Sequence, residues 1–172
     1  MADKRSVYMD SCCFIDMVKV DSGQSLANSR ALDVWYLKQL VQACRDGEID
    51  VMTSIITIAE CTHADGDLSQ KVQSAFHSLL MSGQYVKLVQ PTPFIAVDAR
   101  DLRWRHNISV RGADAIHIAS ALDRKCEEFI TTDEQAKKMA AKATLATLGL
   151  RMIRASETTC LPAKYLQLKL DG

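Results

Sequence analysis

VRGADAIHIASAL, residues 110–122, is followed after five residues by EFITT, residues 128–132, and then by Asp133. Ala113, Ile116, Ala119 and Ser120 are small or apolar at steps of three and four, the period of a helix packed on a core. EFITT has the composition and length of a short buried strand. A helix that runs directly into a strand, with an acid just beyond the strand, is the unit of an α/β fold. The same stretch poses a problem, because Asp114 stands at the start of the apolar helix. A carboxylate beside a core is costly unless something pairs with it.

Outward from this unit the alternation continues in both directions. Ser6–Asp10, Ile49–Thr53, Tyr85–Val89, Glu128–Thr132 and Leu150–Ile153 read as strands. Between them, helices are expected over SCCFIDMVKV, Ser29–Arg45, SIITIAECTHA, Leu68–Met81, Phe94–His106, the stretch quoted above, and Asp133–Thr147. In Ser29–Arg45 the residues Leu32, Trp35, Tyr36, Leu40 and Val41 form one stripe. Asp21–Asn28 reads as a loop, and the segment from Ala155 has no clear assignment. This pattern predicts a three-layer α/β/α sandwich with a central parallel sheet. A single domain over 1–172 is expected, with a core at about 6–153 and a tail at 155–172.

Lysine and arginine total 21, as do aspartate and glutamate, and 48% of the 172 residues are hydrophobic. This is the composition of a globular chain, without the strong positive charge of an ordinary nucleic-acid binder. A local basic lip remains compatible with it. No apolar run reaches the length of a membrane span. MADKRSVYMD passes from charges into a strand without a secretory apolar stretch, so a cytoplasmic protein is expected. The six cysteines form no CxxC pair and are expected to act as small hydrophobes in a reducing compartment.

Ligands of open parallel sheets sit outside the carboxyl ends of the strands. Asp10 ends the first strand, Glu60 lies on the helix after the second, Asp133 follows the fourth, and Asp114 opens the helix that feeds the fourth. Each has a local explanation. Asp10 or Ser11 could cap a helix, Thr132 with Gln135 fits a capping box, Asp133 and Asp114 suit a first helical turn, and Glu60 could face solvent. Capping does not explain why all four fall on one edge of the sheet. Carboxylates brought together repel, and a divalent cation removes that penalty. None of the four motifs brings a paired base. An all-oxygen set suits Mg²⁺ or Mn²⁺, ions that activate water and stabilise phosphoryl transition states.

VYMDSCCFID, TSIITIAE, GADAIHIASAL and FITTDE, in that order, resemble the motifs of PIN-domain proteins, with the VapC-like toxins of toxin–antitoxin pairs as the nearest subgroup. The resemblance implies a metal-dependent endoribonuclease that hydrolyses RNA, a homodimer, and a small antitoxin protein as partner. It implies catalytic and metal-binding roles for Asp10, Glu60, Asp114 and Asp133, with Asp10 and Asp114 as principal ligands. Glu60 and Asp133 would complete the pocket. Ser11 and Thr131 stand where they could hydrogen-bond the ligands. Cys12 replaces the Thr or Ser that many relatives carry two residues after the first Asp.

Other residues admit two readings. His117, one turn after Asp114, and His63 are expected to be packed or hydrogen-bonded rather than metal-binding. Arg103, Arg105, His106 and Arg111 with Trp104 could grip and stack RNA, or could form a solvated helix face with Trp104 in the core. A PIN-type module that binds RNA or protein without cutting, a haloacid-dehalogenase-like phosphatase and a receiver-like domain are alternatives. The phosphatase reading wants a second Asp where Cys12 stands. The receiver reading wants paired acids after the first strand and a Lys after the last.

Overall fold

The computed structural model of the chain describes residues 4–167. Five parallel strands, β1 (Ser6–Met9), β2 (Asp50–Ser54), β3 (Lys87–Val89), β4 (Glu128–Ile130) and β5 (Arg151–Ile153), form one sheet in the order β3-β2-β1-β4-β5. The helices are α1 (Ser11–Asp21), α2 (Asn28–Arg45), α3 (Ile56–Glu60), α4 (Gln70–Met81), α5 (Pro93–Trp104), α6 (Ala113–Asp123) and α7 (Ala136–Thr147).

The period of two along each strand divides the core into two layers. Val7, Met9, Ile130 and Ile153 pack with α1, α2 and α4 on one face. Tyr8, Phe129 and Met152 pack with α5, α6 and α7 on the other. The three-layer α/β/α sandwich read from the sequence is the fold observed. Both faces of the sheet are covered, as a parallel sheet requires.

Several boundaries differ from the sequence reading. SIITIAECTHA supplies only the five residues of α3, because its β-branched run of Ile55, Ile56, Thr57 and Ile58 has weak helix propensity. The helix expected from Asp133 starts at Ala136, and the Thr132–Gln135 capping box does not form. Gln135 is itself the N-cap, without a side-chain bond to the helix. The segment from Ala155 returns to the first face as two short 3-10 turns, Ala155–Glu157 and Ala163–Tyr165, and buries Cys160, Leu161 and Tyr165. It also satisfies a buried acid: Glu128 on β4 accepts bonds from Arg151, Thr158 and Thr159.

The chain builds β1, β2 and β3 toward one side, then places β4 and β5 on the other side of β1. The strand order therefore reverses between β1 and β4. In open parallel sheets the crevice outside the strand ends at such a reversal is where ligands bind. The doubly wound order typical of receiver domains runs 2-1-3-4-5, so the observed order sets the receiver-like alternative aside.

Candidate active site

Two of the four predicted acids stand at this reversal because of their chain positions. Asp10 is the residue between β1 and α1, and Asp133 lies just beyond β4. Asp114 comes in from above, in the first turn of α6. Gly112 caps that helix at φ 63° and ψ −136°, a conformation that side chains with a Cβ avoid. A Cβ there would meet no neighbour, so the need for glycine is purely conformational.

Asp10, Asp114 and Asp133 converge on one point, and that point is the ammonium of Lys138. Nζ lies 2.9 Å from Asp10 Oδ2, 2.8 Å from Asp114 Oδ1 and 3.0 Å from Asp133 Oδ2. The Lys138 side chain is only 4% exposed. The base that pairs with these acids thus comes from outside the four motifs, four residues beyond the last of them. Lys138 sits five residues beyond Asp133 in the first turn of α7, where a cation opposes the helix dipole. Only the carboxylates favour it there. Lys137, its neighbour in sequence, is exposed. In AKKMAAKAT nothing separates one lysine from the next, because burial is decided by how α7 packs beside β5 and brings one of them to Asp10 and Asp114.

Asp10 is the most constrained of the three. Its Oδ1 accepts from Ser11 N at 2.9 Å, and its Oδ2 accepts from Thr131 Oγ1 at 2.9 Å as well as from Lys138. It is thus both a helix cap and a site residue. Burial acts to raise its pKa, but the Lys138 charge, with further help from His117 and Thr131, wins and holds the carboxyl below the usual range. Lys138 is affected in the complementary way. Burial would lower its pKa, and the three carboxylates overcome that and raise it. Asp133 Oδ1 accepts from Gln135 N, and its own N–H donates to Thr131 Oγ1. The predicted supporting role of Thr131 thus takes a definite form: one hydroxyl ties Asp10 to the turn carrying Asp133. Cys12 joins this turn weakly, with its Sγ 3.3 Å from Thr131 Oγ1 and accepting from Thr132 N at 3.3 Å.

Glu60 is not part of the three-acid cage around Lys138. Its Oε2 lies 2.7 Å from His117 Nε2, and His117 Nδ1 lies 2.8 Å from Tyr8 Oη. Tyr8 and His117 are buried, so the core fixes the position of Glu60 through this chain of polar contacts. The His117 bond lowers the Glu60 pKa despite partial burial. His117 is a hydrogen-bonded histidine, as expected. His63 accepts a bond from Gly66 N in the turn after α3.

A groove of about 690 Å³ opens beside Asp114, lined by Arg100, Arg103, Trp104, Arg111 and Lys137 among others. Trp104 is 72% exposed, which overturns the reading that puts it in the core. Its ring stacks with the Arg100 guanidinium 4.4 Å from the ring centroid. Arg105 instead pairs with Asp101, outside the groove lining.

The cage offers only oxygen atoms, which is the donor chemistry Mg²⁺ and Mn²⁺ prefer. The residues fit such an ion in kind. Their spacing is set by N–H···O bonds to Lys138, and among the described residues no three His, Cys, Asp or Glu side chains are drawn together as a metal-ligand set.

Carboxylates gathered at the reversal of a β3-β2-β1-β4-β5 parallel sheet define an α/β protein with an acidic site at the carboxyl edge of its strands. The PIN domain family model matches residues 7–142, a span that contains Asp10, Glu60, Asp114, Asp133 and Lys138, and the chain belongs to that family. A search of curated proteins finds none that matches it. Family membership displaces the phosphatase alternative. Among the described residues no helix is long and apolar enough to cross a membrane.

Proposed function

We propose that the protein is a Mg²⁺- or Mn²⁺-dependent endoribonuclease of the VapC-like toxin type. PIN domains are generally nucleases, which supports phosphodiester hydrolysis as the reaction class. The observation that carries the finer reading is the convergence of Asp10, Asp114 and Asp133 on a single cation position at the switch point of the sheet. Asp10 and Asp114 would hold the ion, with Asp133 completing the set. When bound, it would supply positive charge at the scissile phosphate and a more acidic water.

The chain's own residues do the rest. Thr131 and the Ser11 N–H keep both Asp10 oxygens in place. His117 holds Glu60 ionised at the margin of the cage, where a carboxylate can orient a water molecule. Arg111 and Lys137 lie along the groove beside Asp114, positioned for phosphate oxygens. The exposed Trp104 offers a face on which an unpaired base can stack. Single-stranded or loop RNA is therefore the favoured substrate. A homodimer and a small antitoxin partner follow from the resemblance and belong to the same proposal.

One observation favours a second reading. Lys138 already neutralises part of the acidic charge, as in a PIN module that binds without cutting. Incubating the protein with structured RNAs, transfer RNA included, in Mg²⁺, in Mn²⁺ and in EDTA separates the two. The nuclease reading expects cutting that EDTA abolishes. Cutting in EDTA at the same rate contradicts it.

A further inference from the structure

The cage is built around a cation that belongs to the chain. Lys138 makes all three of its ion pairs at ordinary N–H···O distances, between 2.8 and 3.0 Å. A divalent ion of the Mg²⁺ class wants the same oxygens at roughly 2.0–2.1 Å. The two cannot share the pocket. Asp10 Oδ2 accepts from both Thr131 and Lys138, so an ion on that oxygen must displace the ammonium. Two cations side by side in a nearly buried site would also repel each other strongly.

The ammonium neutralises only one of three carboxylates, so the pocket keeps a net negative charge that a divalent ion meets better. Lys138 also has no other reason to stay. It lies in the first turn of α7, the positive end of the helix dipole, and that helix lacks a side-chain cap. Asp114 and Asp133 are partly exposed, with side-chain exposures of 35% and 26%, so the cage opens to solvent on their side. A flexible four-carbon stem can swing out there.

We infer that Lys138 is a built-in competitor of the divalent ion. The metal loads only as the ammonium leaves Asp10, Asp114 and Asp133, and Lys138 thereby sets the metal concentration at which the site fills. The inference rests on the metal-dependent reading of the site. It makes Lys138 a regulating residue, the one that stabilises the apo protein and restrains metal binding.

The test measures Mn²⁺ binding to the full chain by calorimetry, without RNA. Lys138→Met, close in length and uncharged, should bind Mn²⁺ about tenfold or more tightly than wild type, since a competing charge is gone. Lys138→Arg keeps the charge and should gain nothing. Wild-type Lys138 should be protected from reductive methylation in EDTA and modified once Mg²⁺ saturates the site, as read by peptide mass spectrometry. That arm needs no variant to fold. Mn²⁺ binding by Lys138→Met that is equal to or weaker than wild type overturns the competition while leaving the metal site intact. So does protection of Lys138 that persists at saturating Mg²⁺. Absence of Mn²⁺ and Mg²⁺ binding by both wild type and Lys138→Met overturns the metal reading itself, and the competition with it.

Discussion

Asp10 and Lys138 are the two most buried charges of the site, and each favours the ionised form of the other. This has a direct consequence for acid stability. The folded-state pKa of Asp10 lies below its ordinary value of 3.8. The stability Asp10 contributes is therefore complete above that value and is lost as pH falls through the depressed folded-state pKa. Thermal unfolding of wild type and Asp10→Asn between pH 2 and pH 6 should show the difference (a range set by the ordinary carboxylate pKa of roughly 4). The advantage of wild type should shrink as the solution becomes more acid, and an advantage that is constant across the range contradicts the pairing. The sequence displayed Asp10, Glu60, Asp114 and Asp133 through their places in the β/α pattern, because an acid after a strand is visible as such. It did not display Lys138, whose role depends on three residues more than twenty positions away or across a turn, and for which one lysine among several reads as an ordinary solvated helix face. Trp104 was open to two readings, a stacking face or a core residue, because an apolar ring on a helix suits either, and the packing of α5 decides for the exposed one.

Among the elements, α6 carries the most specific geometry. Gly112 enters it at a backbone conformation suited to glycine, and two residues later Asp114 reaches Lys138. Gly112→Ala should cost about 1–3 kcal/mol of stability. It should also weaken Mn²⁺ binding, because Asp114 shifts with the helix start. Urea unfolding and calorimetry check the two effects, and an unchanged midpoint would remove the strain argument. Element types were readable because hydrophobic period separates buried strands from amphipathic helices over most of the chain. Boundaries were less so. The start of α7 moved to Ala136 since Asp133 and Thr131 bond each other and the following turn in preference to capping the helix. The final segment was unreadable because its anchor is remote in sequence: Glu128 on β4, buried, holds Thr158 and Thr159. Deleting the chain beyond Arg154 leaves Glu128 with Arg151 alone and should destabilise the fold by about 3 kcal/mol or more. Denaturant unfolding of the truncated chain at wild-type stability would contradict that anchoring role.

Over the whole molecule, net formal charge is zero, yet the site edge is strongly uneven. Acids occupy the switch point, and a basic groove with Trp104 runs beside it. A balanced composition argues against an ordinary basic RNA binder, and the local distribution restores that possibility at one edge. The expected homodimer predicts a mass near twice 19.1 kDa by light scattering at micromolar concentration, and a mass near 19.1 kDa would contradict it.

A nuclease needs the three-acid cage to be catalytic machinery. Asp114 isolates the question, since Gly112 and not Asp114 caps α6, and Asn keeps its size and one acceptor oxygen. Cleavage of structured RNA by wild type and by Asp114→Asn, both folded by circular dichroism and both in Mn²⁺, is the decisive measurement. A catalytic cage predicts a loss on the order of a hundredfold or more in rate for Asp114→Asn. Equal rates for the two proteins would contradict it.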